Sequence, residues 1–296
     1  MIHIENPYAQ PGNWWRGNVH THTTHSDGSR PVERVLEDYE SRGYDFLAIT
    51  DHDVLVDPAP WQEKTRLALI PGVEVSRGGP HLLHLGATEL IPPDPDRQTV
   101  LNRIQEQGAL GVVNHPNWGR NFNHCPHELM ESWSGYIGLE IYNGVIERLP
   151  GSPYATDRWD RLLSQGRKVW GFATDDAHHD RDVELGWIVV RAERCEPGPL
   201  LEAIARGSFY SSTGVRIERI AVEDRAIRIE APDAQRIRCF SKHGVLREVV
   251  EGSEARFSLP DSPQEAEALG YLRVECYGSG GRVAWTQPFW LNVERA

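Results

Sequence analysis

The sequence predicts an α/β region followed by a smaller all-β region. Up to about residue 214, short apolar runs typical of buried strands alternate with segments of helical periodicity. From about residue 215 the helical spacing stops, and short runs alternate apolar and polar residues, as in an antiparallel sandwich. We therefore expect two domains, residues 1–214 and 215–296. A third observation is that nearly every strand candidate of the first region carries a His, Asp or Glu at or near its carboxyl end.

The elements follow from the chain in order. Residues 31–42 form the first predicted helix, with Val32, Leu36 and Tyr39 at helical spacing, Ser29 as a candidate cap and Gly43 at its end. The same spacing predicts helices at residues 96–107, 156–165 and 199–206. Apolar runs predict strands at residues 44–50, 66–75, 81–86, 111–116, 138–143 and 168–174. Because strands and helices alternate, we expect a parallel sheet, whose carboxyl edge is where such folds place their active sites.

Composition excludes several classes of function. The chain has 31 Lys and Arg against 43 Asp and Glu, a formal net charge of −12, so we expect no nucleic-acid partner. No apolar run is long enough to span a membrane, and residues 1–7 lack the regions of a signal peptide. The four cysteines lie far apart and form no disulfide framework or metal pair. A cytoplasmic protein is the simplest interpretation.

Imidazoles and carboxylates at the strand ends predict a metal centre. His20 and His22 stand two residues apart, so in a strand both would face one ion. The candidate ligands are His20, His22, Asp27, His52, Glu74, His81 or His84, His115, Asp176 and His178. One tetrahedral ion needs four ligands, so this set predicts two or three divalent ions, zinc, manganese or iron, with Glu74 as the best bridge. Ions so close together predict hydrolysis.

These motifs, in this order, resemble the PHP (polymerase and histidinol phosphatase) family. They are His20-Thr21-His22-Thr23 with Ser26-Asp27-Gly28, Thr50-Asp51-His52-Asp53, Pro71-Gly72-Val73-Glu74, Asn114-His115-Pro116 and Asp176-Ala177-His178. The resemblance covers about residues 15–210 and implies a distorted (β/α)₇ TIM-like barrel with a di- or trinuclear site. The segment around residues 207–214 and the predicted sandwich are similar to a subgroup of PHP-type hydrolases that includes phosphoesterases and carbamate- or amide-cleaving enzymes.

The resemblance also implies how the ligands divide. His20, His22, Glu74 and Asp176 would hold one ion; Glu74, a histidine of the 81–86 strand and His115 a second; Asp27, His52 and His178 a third. It favours His81 over His84, and three residues apart in a strand the two would face opposite ways. The catalytic residues would be His20, His22, Glu74, His115, Asp176 and His178.

The sequence leaves the cleaved bond open. The first hypothesis is a phosphoesterase acting on a small phosphorylated molecule, with a phosphate-binding arginine among Arg77, Arg120, Arg148 and Arg181. The alternative keeps the site but cleaves a carbamate, ester or amide, which an aromatic approach formed by Trp118, Trp133 and Tyr142 would favour. A non-catalytic binding protein is a third hypothesis. A homo-oligomer is compatible with Trp285, Phe289 and Trp290, which could instead contact the barrel or fill the sandwich core.

Several further residues have possible roles near the motifs. His25 and His179 are candidates for substrate contact or for supporting the ligands. Asp51 and Asp53 are candidates for orienting the imidazoles. His124 and His127, beside Cys125, are better explained by a solvated loop than by a separate metal site, and His3 and His243 by surface positions.

Overall fold

The computed structural model describes residues 2–293. The helices are α1 Val32–Ser41, α2 Ala59–Gln62, α3 Arg97–Glu106, α4 His127–Ser132, α5 Thr156–Ser164, α6 Pro197–Ala205 and α7 Pro263–Leu269. The strands of the first region are β1 Ile2–Glu5, β2 Asn13–Asn18, β3 Phe46–Ile49, β4 Ala68–Val75, β5 Leu82–Leu85, β6 Leu110–Val113, β7 Tyr136–Asn143, β8 Trp170–Thr174, β9 Trp187–Ala192 and β10 Phe209–Ser212. They are followed by β11 Arg219–Glu223, β12 Ala226–Glu230, β13 Ala234–Ser241, β14 Val245–Glu251, β15 Glu254–Ser258, β16 Tyr271–Gly278, β17 Val283–Thr286 and β18 Phe289–Val293.

The predicted helices and strands of the first region are present, with small differences at their ends. Helix α1 buries Val32, Leu36 and Tyr39, which the helical spacing placed on one face. Ser29 does not cap α1: the capping position is Pro31, and the Ser29 hydroxyl donates a hydrogen bond to the carbonyl of His178 instead.

The central sheet is mixed, and this corrects the prediction of a parallel sheet. Strands β2, β3 and β4 are parallel, as are β6, β7 and β8, but β5 runs antiparallel to both β4 and β6. Residues 76–81 connect β4 to β5 and are too few for a crossover, which needs a dozen or more residues. The reversal therefore follows from the short connection.

The two ends of this run of strands approach each other at the carboxyl edge. The amide of His22 donates to the carbonyl of Ala177 and the amide of Asp176 donates to the carbonyl of His20, both at 3.0 Å. In residues 2–293 no ladder pairs β8 with β2, because β2 pairs with β9, which continues the sheet. A closed barrel therefore remains a prediction.

The C-terminal strands continue the main sheet. Strand β10 pairs with β17, β17 with β16, and β16 with both β13 and β18, while β1 pairs with β18. A separate three-stranded sheet, β11-β12-β15, shares an apolar core with these strands, in which Ile227 and Phe257 pack with Val274 and Phe289. A sandwich that is separate from the first region remains a prediction.

The aromatic residues near the C-terminus divide between two cores. Trp285 and Trp290 belong to the same apolar cluster as Tyr142 and Trp159 of the α/β region, whereas Phe289 packs among the C-terminal strands. The four cysteines are unpaired. In the described part of the chain, no helix combines the length and the apolarity needed to cross a bilayer.

Candidate metal centre

The structure brings all nine candidate ligands to one edge of the sheet. Seven follow the carboxyl ends of β2, β3, β6 and β8, Glu74 lies near the end of β4, and His81 directly precedes β5. Because β5 is reversed, its beginning lies at the same edge as the ends of its neighbours. Their side-chain atoms form overlapping groups that could each hold an ion: His20, His22, Glu74 and Asp176; His52, Glu74 and His81; His22, Asp27, His52 and His178; and His81, His115 and His124.

The first group has the spacing of a tetrahedral coordination shell. His20 Nε2 lies 3.2 Å from both Glu74 Oε2 and Asp176 Oδ1. His22 Nε2 lies 3.3 Å and 3.0 Å from the same two oxygens. Ligands of a tetrahedral zinc ion, with bonds of about 2.0–2.1 Å, lie about 3.3–3.4 Å apart. The four separations between imidazole nitrogens and carboxylate oxygens therefore lie close to those that such an ion requires.

Glu74 occupies the centre of the cluster. While Oε2 faces His20 and His22, Oε1 lies 3.0 Å from His81 Nδ1 and 3.2 Å from His115 Nε2. A carboxylate with imidazoles on each oxygen can bridge two ions, as the sequence predicted for Glu74.

Asp27 stands at the outer side of the cluster. Its carboxylate lies 3.3 Å from His178 Nε2 and 3.7 Å from His52 Nε2. His52 also places Nδ1 2.9 Å from Glu74 Oε2, so its ring lies between Asp27 and the central carboxylate. The Asp27 side chain is 57% exposed, so the group formed by Asp27, His52 and His178 is more open to solvent than the group around His20.

Buried atoms without hydrogen-bond partners support a metal at this position. His20 Nε2 and Glu74 Oε2 are both fully buried, and none of their close contacts among the described residues has the geometry of a hydrogen bond. Buried polar atoms nearly always have hydrogen-bond partners in folded proteins, and a bound ion is one of the accepted explanations for an exception. A divalent cation would satisfy both atoms, so the residues present fit a bound metal ion.

Glu140, on β7, orients the first group, and sequence reasoning missed it. Its Oε1 lies 2.6 Å from His20 Nδ1, and its Oε2 accepts from the amide of His115 at 2.7 Å. Fixing Nδ1 of His20 turns Nε2 toward the cluster, the arrangement by which an outer carboxylate fixes a metal-binding imidazole. The one available signal was a carboxylate inside a buried strand, which is unusual without a partner.

Asp51 and Asp53 do not orient the imidazoles, contrary to the prediction. Asp51 accepts hydrogen bonds from the amides and hydroxyls of Thr23 and Ser26 and so holds the turn that carries Asp27. Asp53 accepts from the amide and hydroxyl of Ser76 and from the amide of the next residue. Both carboxylates shape the backbone around the ligands.

Two candidate ligands have strained backbones. His115 has φ of 25° and Asp176 has φ of 53°, in the left-handed region that side chains rarely adopt. Such strain persists where the surroundings enforce it and is concentrated at functional sites.

The carboxylates of the cluster remain charged without help from a metal. Burial by itself would raise the pKa of Glu74, but His20 and the other surrounding imidazoles hold it well below its usual value. The pKa of Asp176 is likewise lowered, mainly by His20 acting against burial. Anionic oxygens enclosed at neutral pH favour binding of divalent cations.

The remaining histidines separate into near and distant residues. His84 is buried inside β5, and no described residue hydrogen-bonds either of its ring nitrogens, so His81 is the histidine that reaches the cluster. The prediction of a solvated loop is wrong for His124, which is half-buried and whose Nε2 accepts from the amide of His81 at 3.1 Å. His127 is buried in α4. His25 is exposed beside the motif.

A pocket of about 290 Å³ opens above the cluster. Its floor consists of candidate ligands, and one wall is apolar, formed by Trp118, Val145, Ile146 and Leu149. Of the four arginines suggested by the sequence, Arg148 lines this pocket, as does His179. Trp133 and Tyr142 are buried in the core and do not line it.

Comparison with known proteins finds relatives that match only part of the sequence. No protein-family model matches the sequence. An uncharacterized protein of Methanocaldococcus jannaschii is 23% identical over 118 residues, 39% of this chain and 66% of the relative. The phosphoribosyl 1,2-cyclic phosphate 1,2-diphosphodiesterase of Eggerthella lenta is 38% identical over 84 residues, 25% of this chain and 32% of the relative. The matches thus span from about a third to just under two thirds of these relatives.

A solved structure matches nearly the whole chain. It is a two-domain protein from Bacteroides vulgatus, described as "containing predicted PHP-like metal-dependent phosphoesterase". The alignment covers 96% of this chain and 88% of that one, with a TM-score of 0.56 and 16% sequence identity. At this identity the likeness concerns the fold. The chain therefore has the fold of a PHP-like protein, and the resemblance predicted from its motifs is confirmed at that level.

Proposed function

We propose that the protein is a metal-dependent phosphoesterase that uses two or three divalent ions, zinc, manganese or iron. The observation that carries the proposal is the position of Glu74, whose two oxygens each face imidazoles and which forms a four-residue group with His20, His22 and Asp176 that could hold an ion. A cluster of this kind is more than a structural site requires, because structural sites are closed and hold one ion.

The proposed division of ligands is the one that the resemblance implies, and the contacts of Glu74 with His81 and His115, at 3.0 and 3.2 Å, support it. His20, His22, Glu74 and Asp176 would hold the first ion, Glu74, His81 and His115 the second, and Asp27, His52 and His178 the third. Bound divalent ions would act as Lewis acids and make water a nucleophile near neutral pH.

The other groups of the pocket would bind and orient the substrate. Arg148 lies at its edge with a positive charge, and the apolar wall that includes Trp118 and Leu149 reduces the water around the reacting group. The partner would be a small phosphorylated molecule, since a pocket of about 290 Å³ accommodates little more than a phosphate and a compact organic group.

The apolar wall of the pocket supports a second candidate function, hydrolysis of a carbamate, ester or amide. A carbamate, ester or amide with an aryl group would pack against Trp118 and Ile146, with its carbonyl at the cluster. The two functions differ in the charge of the substrate, so direct comparison of an anionic and a neutral substrate separates them.

The test is hydrolysis by metal-loaded protein. We expect turnover of p-nitrophenyl phosphate in excess of that of a naphthyl carbamate. Glu74→Ala and His20→Ala should each lower the rate by at least about 100-fold, because each removes a ligand from the first ion. His3→Ala, at an exposed position of β1, is the matched control.

The same measurements can refute the proposal. Turnover of the carbamate alone would eliminate the phosphoesterase. Full activity in both Glu74→Ala and His20→Ala would eliminate the catalytic site. If the two variants lose bound metal but the parent protein hydrolyses neither substrate, the binding-protein hypothesis is favoured instead.

We further propose that residues 1–214 form a distorted barrel and residues 215–296 an accessory unit, that the protein acts in the cytoplasm, and that it could form a homo-oligomer. The two backbone hydrogen bonds between His20 or His22 and the residues after β8 support the barrel. The net charge of −12 supports a partner other than nucleic acid.

A further inference from the structure

Arg148 is the only arginine or lysine among the described residues that line the pocket. It lies at the end of the turn that follows β7, and its side chain is 35% exposed. Its Nε and Nη2 donate to Asp182 Oδ1 and Oδ2, both at 2.8 Å. This bidentate pair fixes the plane of the guanidinium as well as its position.

Asp182 links Arg148 to the metal cluster. Its carboxylate is 1% exposed and also accepts from the amides of His178 and His179, at 3.1 and 2.9 Å. His178 is a proposed ligand, so one buried carboxylate holds both the ligand's backbone and the arginine. Asp182 therefore positions the guanidinium relative to the backbone of His178.

The guanidinium has a second edge, and this edge remains available. Asp182 occupies the edge formed by Nε and Nη2. Within residues 2–293, Nη1 of Arg148 donates no hydrogen bond, whereas Nε and Nη2 both do. The edge formed by Nη1 and Nη2 presents N–H groups that can donate to a terminal oxygen of a phosphate. A lysine ammonium has no second edge and could not serve Asp182 and a phosphate in the same way.

We propose that Arg148, held by Asp182, makes the site selective for phosphate monoesters over diesters. The proposal rests on the phosphoesterase function proposed above. A monoester carries three terminal oxygens and, above a second pKa of about 6, close to two charges. A diester carries two terminal oxygens and one charge. If the cluster takes two terminal oxygens, a monoester has one left for Arg148 and a diester has none.

The test compares two substrates with the same leaving group, p-nitrophenyl phosphate and bis-p-nitrophenyl phosphate. Arg148→Met should lower kcat/KM for the monoester by roughly 10- to 100-fold, the size expected for losing hydrogen bonds to a charged group. It should change kcat/KM for the diester by less than about threefold. Arg148→Lys, which keeps a charge near Asp182, should also lose most of the selectivity.

A binding measurement gives a readout apart from activity. The affinity of the metal-loaded protein for inorganic phosphate, measured by calorimetry, should fall by a similar factor in Arg148→Met. Arg120→Met is the matched control, since Arg120 is exposed and lies outside the pocket. Metal content should remain equal in all three proteins, which shows that the cluster is intact.

The outcomes separate the two proposals. If the parent protein hydrolyses neither phosphate, the phosphoesterase function fails. If the parent hydrolyses them but Arg148→Met slows monoester and diester equally, or slows neither, the role of Arg148 is overturned and the phosphoesterase function stands. Loss of folding in Arg148→Met leaves Arg148→Lys and its selectivity ratio to decide.

Discussion

At the scale of single residues, two buried carboxylates outside the nine candidate ligands position the site: Glu140 contacts His20 Nδ1, and Asp182 holds Arg148. Histidines and carboxylates at strand ends identified nine candidate ligands, and the structure brings all nine together. Glu140 and Asp182 were missed because their importance depends on which backbone amides and side chains approach them across the fold. A carboxylate inside a strand has no local pattern that distinguishes it from an ordinary polar residue.

Glu140 leads to a prediction about metal affinity. Glu140→Gln keeps the size of the side chain but replaces one carboxylate oxygen with an NH₂ group. That NH₂ would face a hydrogen-bond donor, either His20 Nδ1 or the amide of His115, and cannot accept from it. We expect affinity for the first ion to fall by about 10- to 100-fold, as for other outer-shell changes. Competition with a chelator measures this affinity. Glu147→Gln, on an exposed side chain nearby, is the control, and equal affinity in both variants would contradict the role of Glu140.

At the scale of elements, β5 decides which histidine reaches the site. The antiparallel direction of β5 places its first residues, and hence His81, at the edge where β4 and β6 end. His84, three residues later, lies in the strand interior, where no described residue hydrogen-bonds its ring. The alternation of strands and helices could not predict this direction. The short connection at residues 76–81 determined it.

The buried imidazole of His84 predicts a dependence of stability on pH. Burial lowers its pKa to about 4, below the unfolded value of about 6.5. Between these values the unfolded chain binds a proton that the folded chain does not, so stability falls as pH falls from about 6.5 toward 4. At pH 5 the loss is about 2 kcal/mol, from 1.4 kcal/mol for each pKa unit.

Urea unfolding at pH 7.5 and pH 5 measures this loss. His84→Leu should lose about 2 kcal/mol less than the parent protein over this interval, because leucine cannot bind the proton. His3→Leu, at an exposed position, should behave as the parent does. An identical pH dependence in the parent and in His84→Leu would contradict the assignment.

At the scale of the whole molecule, the C-terminal strands are joined to the α/β region by a buried charge network. Arg273 of β16 is 2% exposed and pairs through Nε and Nη2 with Asp160 of α5, at 2.8 and 2.6 Å. Its Nη1 pairs with Glu275 at 2.5 Å. Together with the β10–β17 ladder, this network fixes one region of the chain against the other.

Removing the cation should destabilise the protein strongly. Arg273→Met leaves Asp160 and Glu275 without their buried partner, so we expect the free energy of unfolding to fall by about 3–5 kcal/mol. Arg228→Met, in an exposed ion pair of β12, should cost less than about 1 kcal/mol. Urea unfolding followed by tryptophan fluorescence measures both, and similar midpoints for the two variants would show that the network does not stabilise the junction.

The sequence by itself determined the positions of the main strands and helices of the first region, the residues of the candidate metal centre and the resemblance to the PHP fold. These features depend on hydrophobic periodicity and on short motifs of ligand residues, both of which involve residues close together in the sequence. The tertiary structure decided the continuation of the sheet into the C-terminal strands and the carboxylates that orient His20 and Arg148. These depend on contacts between residues more than 30 positions apart, such as Glu140 with His20 and Arg148 with Asp182, which no local pattern records.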